Sequence, residues 1–368
     1  MTDLPIREEL RGIQPYGAPQ LDVPIRLNVN ENPYPPSEAL AADAAKAVAD
    51  AVAGLNRYPD REALDLRADL ATYLAGESGV DLTPEQVWAA NGSNEIMLQI
   101  LQAFGGPGRR VLSFAPTYSM YPEYARNTAT EWVTAPRRED FTVDVDDALA
   151  AVVEHRPSVV FVASPNNPTG TAVSLDLVRA LHDASPGMLV VDEAYAEFRR
   201  AGTPSALSLL AECPRLIVTR TMSKAFAFAG ARVGYAAAST EVVDVLRVVR
   251  LPYHLSAVTQ AVARVALAHA AELQERVEQL RSTRDELAES LRSLGLQVPD
   301  SDANFVLFGP FDDRHAIFRA LLEHGVLVRE TGPEGWLRAC VGTPEETETF
   351  VRALRKVLAR EPGEDTGT

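Results

Sequence analysis

The residues that could do chemistry lie in short segments directly behind apolar runs. In TRTMSKAFAFAGARVG (219–234) a single lysine, Lys224, stands between Ser223 and a run of small and aromatic residues, and Arg232 follows eight positions later. Long cationic side chains are seldom buried without a use. Asp192 opens DEAYAEF directly behind MLVV. A carboxylate there is either half of a structural salt bridge or the partner of a positive group on a ligand, because burying it alone is strongly unfavourable. VWAA is followed by NGSNEIMLQILQAF, where Ser93 and Asn94 can cap a helix with Glu95 in its first turn. This is an ordinary capped helix or, through its free N–H groups, an anion site. After VLSF, APTYSMYPEY supplies Tyr118, which stacks on a flat ring or packs on its neighbours. After VVFVA, the prolines and glycine of SPNNPTG form a rigid turn that sets the direction of Asn166 and Asn167.

Combined, these groups match one ligand. A planar heteroaromatic ring with a protonated nitrogen would partner Asp192. Its phosphate would rest on the helix start at Ser93 and Asn94, helped by Ser223 and Arg232, and its aldehyde would be held covalently by Lys224. Pyridoxal 5'-phosphate is that molecule, and a lysine Schiff base with an acid at the pyridinium nitrogen is its usual protein setting. Lys224 is then both the linking amine and a proton shuttle. A free lysine, with a pKa of about 10.4, is a poor base at neutral pH. A desolvated, positively charged site lowers that value.

The elements that must position these groups alternate. Seven apolar runs read as strands: VWAA (87–90), VLSF (111–114), WVTA (132–135), VVFVA (159–163), MLVV (188–191), LIVT (216–219) and VGYAA (233–237). Several are continuous β-branched runs, as expected of strands covered on both faces, and most intervening segments are long enough for helices. The pattern predicts an α/β domain with a mainly parallel central sheet, whose ligands gather at the carboxyl ends of the strands. From about residue 257 apolar residues at helical spacing predict one long helix, with room for a kink, ending near Gly295. FVLF, HAIFRALLEHG, VLVR, WLRACV and PEETETFVRALRKVL then read as strand, helix, strand, strand and helix of a smaller α+β domain. The expected division is an N-terminal arm with part of the small domain (1–45), a large cofactor-binding domain (46–260) and a small C-terminal domain (261–368). The glycine run FGGPGRR lacks G-x-G-x-x-G spacing and follows a helix, so it reads as a turn, not a dinucleotide site.

SPNNPTG, DEAY and TMSKAFAFAGARVG resemble the fold-type I pyridoxal-phosphate aminotransferases, and the likeness runs over nearly the whole chain. LNVNENPYPPS, NRYPD, AANGSNE, PTYSMY, SDANFVLF and WLRACVGT are further similar to the histidinol-phosphate aminotransferase group of that family, in its actinobacterial form. The resemblance implies a seven-stranded, mainly parallel sheet in the large domain. It implies that Tyr195 and Asn167 bond the ring 3-oxygen, that Tyr118 stacks on the ring, and that Arg232 binds the phosphate with Thr221 and Ser223 adding hydroxyls. By the same resemblance Tyr58 reaches the cofactor phosphate of a second subunit, so that the active site is shared across a homodimer; a simple turn aromatic is the other reading. Arg338 matches the arginine that binds the substrate's anionic end, and Arg329 adds a second cation or is an exposed strand-end charge. Two arginines around one dianion suit a phosphate better than a carboxylate. Tyr16, Asn94, Tyr118 and Tyr253 are the candidates for the substrate's imidazole end. Asn30 and Asn32 are expected to pin the arm over the site, and His254 to be packed or solvated.

The implied reaction is transamination between L-histidinol phosphate and 2-oxoglutarate in histidine biosynthesis, with an aromatic-amino-acid aminotransferase as the nearest rival. A decarboxylase of a phosphorylated amino acid would keep the fold and change the chemistry. Bulk properties narrow the rest. Across 368 residues, 35 Lys+Arg against 51 Asp+Glu give a net charge of −16, a poor surface for nucleic acid or anionic lipid. This argues against a cofactor-binding DNA regulator. Two cysteines make no disulfide framework, and six histidines without H-E-x-x-H or a Cys/His cluster predict no metal. No apolar run suits a bilayer span and the N-terminus reads as no signal peptide, so the expected location is the cytoplasm.

Overall fold

The computed structural model describes residues 4–359. All seven expected runs are strands of one sheet. Its spatial order is Val87–Ala90, Gly234–Ala237, Leu216–Thr221, Met188–Asp192, Val159–Ala163, Arg110–Ala115, Glu131–Pro136. Gly234–Ala237 runs antiparallel to both of its neighbours, and the remaining pairs are parallel. The three innermost parallel strands are buried at every position, the state their uninterrupted apolar runs require. Asp192 pairs in register with Thr219, and Thr221 with Gly234. The eight-residue spacing between Lys224 and Arg232 is therefore the span of a hairpin that returns the arginine beside the lysine segment. FGGPGRR is a turn, with Gly106 and Gly108 at positive φ.

The long helix expected from residue 257 is two helices, Ala257–Ala268 and Ala270–Ser293. The break falls at His269, whose ring nitrogens lie 2.9 Å from Asp43 and 3.4 Å from Glu272 and so tie the joint to the helix Glu38–Val52. The second helix serves two cores. Leu273, Val277 and Leu280 pack with residues of the large sheet, whereas Leu287 and Leu291 pack with Phe308, Leu337 and Phe350.

The C-terminal strands form a three-stranded antiparallel sheet in the order Arg329–Glu330, Leu337–Cys340, Phe305–Phe308. VLVR is not one strand. Val326–Leu327 pairs in parallel with Ile25–Arg26 of the arm, and pairing passes to the other sheet at Arg329. Leu27 continues this docking, donating to the carbonyl of Leu327 and accepting from the N–H of Cys340. The arm thus carries a short strand that the proline-rich sequence did not reveal, and this strand delivers residues 28–31 to the ends of the central strands. Among the described residues no helix is long and apolar enough to cross a membrane.

Candidate active site

The carboxyl ends of the parallel strands, the arm and the C-terminal sheet enclose a cavity of about 270 Å³. Its lining includes Lys224, Asp192, Tyr195, Ser93, Asn94, Tyr118, Asn167, Thr221, Ser223, Arg232, Arg329, Arg338 and Tyr16, so thirteen expected site residues converge on one space.

Asp192 ends its strand and is buried. Tyr121 donates to its Oδ2 at 3.0 Å and Thr219 to its Oδ1 at 3.3 Å. Burial outweighs these donors and pushes its carboxyl up to about 6. Among the described residues no cation pairs with it. Lys224 donates from Nζ to the carbonyl of Val29 at 2.9 Å, and desolvation brings its ammonium down to about 8. Tyr195, buried and braced edge-on by Phe305 at 5.0 Å, receives N–H groups from Asn30 at 2.9 Å and Asn167 at 3.3 Å. Burial pushes its hydroxyl up to about 12.

One end of the cavity is an anion cup. Ser93 and Asn94 begin the helix Ser93–Phe104, but the capping residue is Gly92, not a serine or asparagine side chain. Glu95 instead folds back, accepting from the backbone and side-chain N–H groups of Asn91 at 2.6 and 2.9 Å. Ser93 and Asn94 both line the cavity, with Asn94 Oδ1 accepting from the Tyr124 hydroxyl at 2.8 Å. Arg232, exposed and in the left-handed region at φ +57°, donates to Ser223 Oγ at 3.3 Å, and Ser223 lies 3.0 Å from Thr221 Oγ1. The cup depends on two glycines. A Cβ at Gly92 would come within 2.6 Å of the Arg232 guanidinium, and one at Gly234 within 2.1 Å of the Ser93 nitrogen.

The other end is cationic. Arg329 and Arg338 stand directly opposite each other across the antiparallel pair, and both line the cavity. Arg338 donates to Asn167 Oδ1 at 2.6 Å and to the carbonyl of Asn28 at 2.7 Å, while its buried Nε has no partner. Like charges in direct cross-strand register are unfavourable unless something negative lies between or beside them. Among the described residues no carboxylate pairs with either.

Two expected residues are elsewhere. Tyr58 and Tyr253 do not line this chain's cavity; they stack on one another at 4.4 Å, and Tyr58 is 79% exposed. His254 packs on Trp88 and bonds the carbonyl of Ala89, as a packed histidine should. Asn32 pins the arm by donating to the carbonyl of Ala225. Asn166 is spent on the turn, bonding Pro116, Thr117 and Thr169, which leaves Asn167 for the cavity. Sequence reasoning missed Tyr121, Thr219, the Val29 carbonyl, Glu31 and Cys340. Tyr121 had a signal, since it lies three residues beyond Tyr118 in the same apolar–aromatic run. A backbone carbonyl has none.

These groups fit pyridoxal phosphate. The fit rests on a buried carboxylate that lacks a cation among the described residues, a lysine shifted toward its neutral form, and an anion cup whose backbone leaves no room for a Cβ at Gly234. A mainly parallel sheet carrying them at its strand ends is the fold-type I architecture of pyridoxal-phosphate-dependent transferases.

The profile of the family described as aminotransferase class I and II matches residues 22–354. A histidinol-phosphate aminotransferase of Thermobifida fusca is 63% identical over 98% of this chain and 97% of its own length. One from Mycobacterium avium is 55% identical over 98% and 90%. Among solved structures, histidinol-phosphate aminotransferase from Sinorhizobium meliloti in complex with pyridoxal-5'-phosphate superposes with a TM-score of 0.81 at 25% identity, covering 91% of each chain. Aspartate aminotransferase from Thermus thermophilus with maleate gives 0.79 at 26%, covering 90% of this chain and 91% of that one. The chain belongs to the class I and II aminotransferases, in their histidinol-phosphate aminotransferase branch.

Proposed function

We propose that this transaminase exchanges the amino group between L-histidinol phosphate and 2-oxoglutarate, giving imidazole-acetol phosphate and L-glutamate in histidine biosynthesis, with pyridoxal 5'-phosphate as its cofactor. The observation that carries the reading is the register of Arg329 against Arg338 at one end of the cavity. Two guanidinium groups with no carboxylate partner suit the phosphate dianion of the substrate.

Ser93, Asn94, Thr221, Ser223 and Arg232 would hold the cofactor phosphate. Asp192 would face the ring nitrogen, Tyr195 and Asn167 the 3-oxygen, and Tyr118 one ring face. When bound, the cofactor supplies an electron sink for the bonds at the substrate α-carbon. Lys224 then serves as the base. Its desolvated amine, beside Arg338 and Arg232, would accept the α-proton at Nζ and hold it for return to the product. Tyr16, held to Ser119 at 2.7 Å, lines the cavity beside Tyr118 and would face the imidazole end.

The site is completed by a second copy of the chain. Tyr58 and Tyr253 stack in the open, and Val52, Leu55, Val248 and Leu251 of the same two segments are also exposed. Arg247 and Arg250 both bind Glu62 and join these segments into one face. Such an apolar face suits an isologous dimer in which each Tyr58 reaches the other subunit's cofactor phosphate.

The deciding experiment is a half-reaction on purified, cofactor-loaded protein. Glutamate plus imidazole-acetol phosphate should give 2-oxoglutarate and histidinol phosphate. Absence of that turnover alongside good turnover of phenylpyruvate assigns the protein to the aromatic group instead.

A further inference from the structure

Tyr195 is met by two amide groups whose orientation is decided elsewhere. Asn167 must present Nδ2 to the Tyr195 hydroxyl, because its Oδ1 is taken by Nη1 of Arg338 and a guanidinium has no acceptor. Asn30 is set by Cys340. The thiol donates to Asn30 Oδ1 at 3.1 Å, and the sulfur accepts the Asn30 backbone N–H at 2.7 Å. Asn304 holds the Asn30 carbonyl at 3.1 Å. Asn30 lies at φ +57°, a left-handed backbone that asparagine tolerates better than most residues. Its Nδ2 is left to donate to Tyr195 at 2.9 Å. With N–H groups on both acceptor positions of the hydroxyl, its single proton has only the cavity to point into.

We propose that Asn30, anchored by Cys340, is a positioning residue that makes Tyr195 a one-way hydrogen-bond donor aimed at an anionic ring oxygen of the bound cofactor. The inference rests on the pyridoxal phosphate reading above. A donor at that oxygen stabilises its negative charge most when the neighbouring lysine-linked nitrogen has lost its proton, so Asn30 lowers the pH at which the chromophore deprotonates. The charges facing Tyr195 are Arg338 and Asp192, with the Cys340 thiol, and those facing Lys224 are Arg338, Arg232 and Glu31, again with Cys340. Substituting Asn30 by glycine leaves all of them in place.

The test is a visible-absorbance pH titration of the holoenzyme. Asn30→Gly keeps the positive φ without strain and deletes the amide. Asn30→Asp keeps the shape but offers Tyr195 only acceptors. The midpoint should rise by about half to one pH unit in Asn30→Gly, the worth of one neutral hydrogen bond. It should rise further in Asn30→Asp, which takes the Tyr195 proton and adds a negative charge. Cys340→Ser, which still donates, should stay near wild type. In a Tyr195→Phe background, Asn30→Gly should add no further shift. Unchanged midpoints in both Asn30 variants, a downward shift in Asn30→Gly, or a further shift in the Tyr195→Phe background overturn the proposal. A wild-type protein that forms no chromophore with pyridoxal phosphate, and no borohydride-trapped adduct at Lys224, fails at the earlier step and takes the proposal with it.

Discussion

The hydroxyl of Tyr121 stands 3.0 Å from Oδ2 of Asp192 and is its closer side-chain donor. The ring of Tyr121 is held independently, tilted against Phe161 at 4.8 Å. Tyr121→Phe should therefore fold normally and remove one charge-assisted hydrogen bond, a loss of about 1.5–3 kcal/mol. The carboxyl of Asp192 then rises above its present value of about 6. Equilibrium dialysis should find cofactor affinity weakened by about ten- to a hundredfold, with the larger loss toward acid pH. Unchanged affinity would show that Asp192 does not meet the ring nitrogen.

Asp192 also makes the cofactor-free protein respond to pH. The ordinary carboxyl titrates at 3.8 and the folded one at about 6. Between those values the folded chain holds more protons than the unfolded one, so stability falls as pH rises, by up to about 3 kcal/mol. Urea unfolding of the apoprotein from about pH 4.5 to 6.5 should show this fall relative to Asp192→Asn. Cofactor, by supplying the missing cation, should abolish the difference. Parallel curves for the two apoproteins would contradict the burial argument.

Lys224 has the opposite shift, from 10.5 to about 8, caused first by desolvation and then by Arg338 and Arg232 against the opposing Cys340 and Glu31. Only the neutral amine attacks a carbonyl carbon. The rate at which apoprotein takes up pyridoxal phosphate should rise with pH and level off above about 8. A rate still climbing at pH 10 would mean that the amine is not desolvated before the cofactor arrives.

Arg329 makes no ion pair among the described residues, so its removal should cost little stability. Arg329→Gln should raise KM for histidinol phosphate by about tenfold or more, the worth of a charge-assisted bond. KM for phenylalanine, which carries no phosphate, should change much less. Equal losses for both substrates would return Arg329 to the role of a strand-end charge.

Much of this protein was legible along the chain. All seven strands of the central sheet follow from short apolar runs, several of them continuously β-branched, and most of the groups that line the cavity follow from what stands immediately behind those runs. Both are local properties, set by side-chain shape and by the need to keep Lys224, Asp192 and Asn167 where strands end. Other features depended on contacts between distant segments. Asn30 meets Cys340 and Tyr195 across sequence separations of 310 and 165 residues. Arg329 faces Arg338 only because VLVR changes sheets at Val328, and the helix break at His269 meets Asp43 of a helix 226 residues away in sequence. Tyr58 and Tyr253 turn away from this chain's own cavity toward an open face. Periodicity and local composition carry no record of register or of which far segment docks where, so these features were decided only when the arm and both sheets packed together.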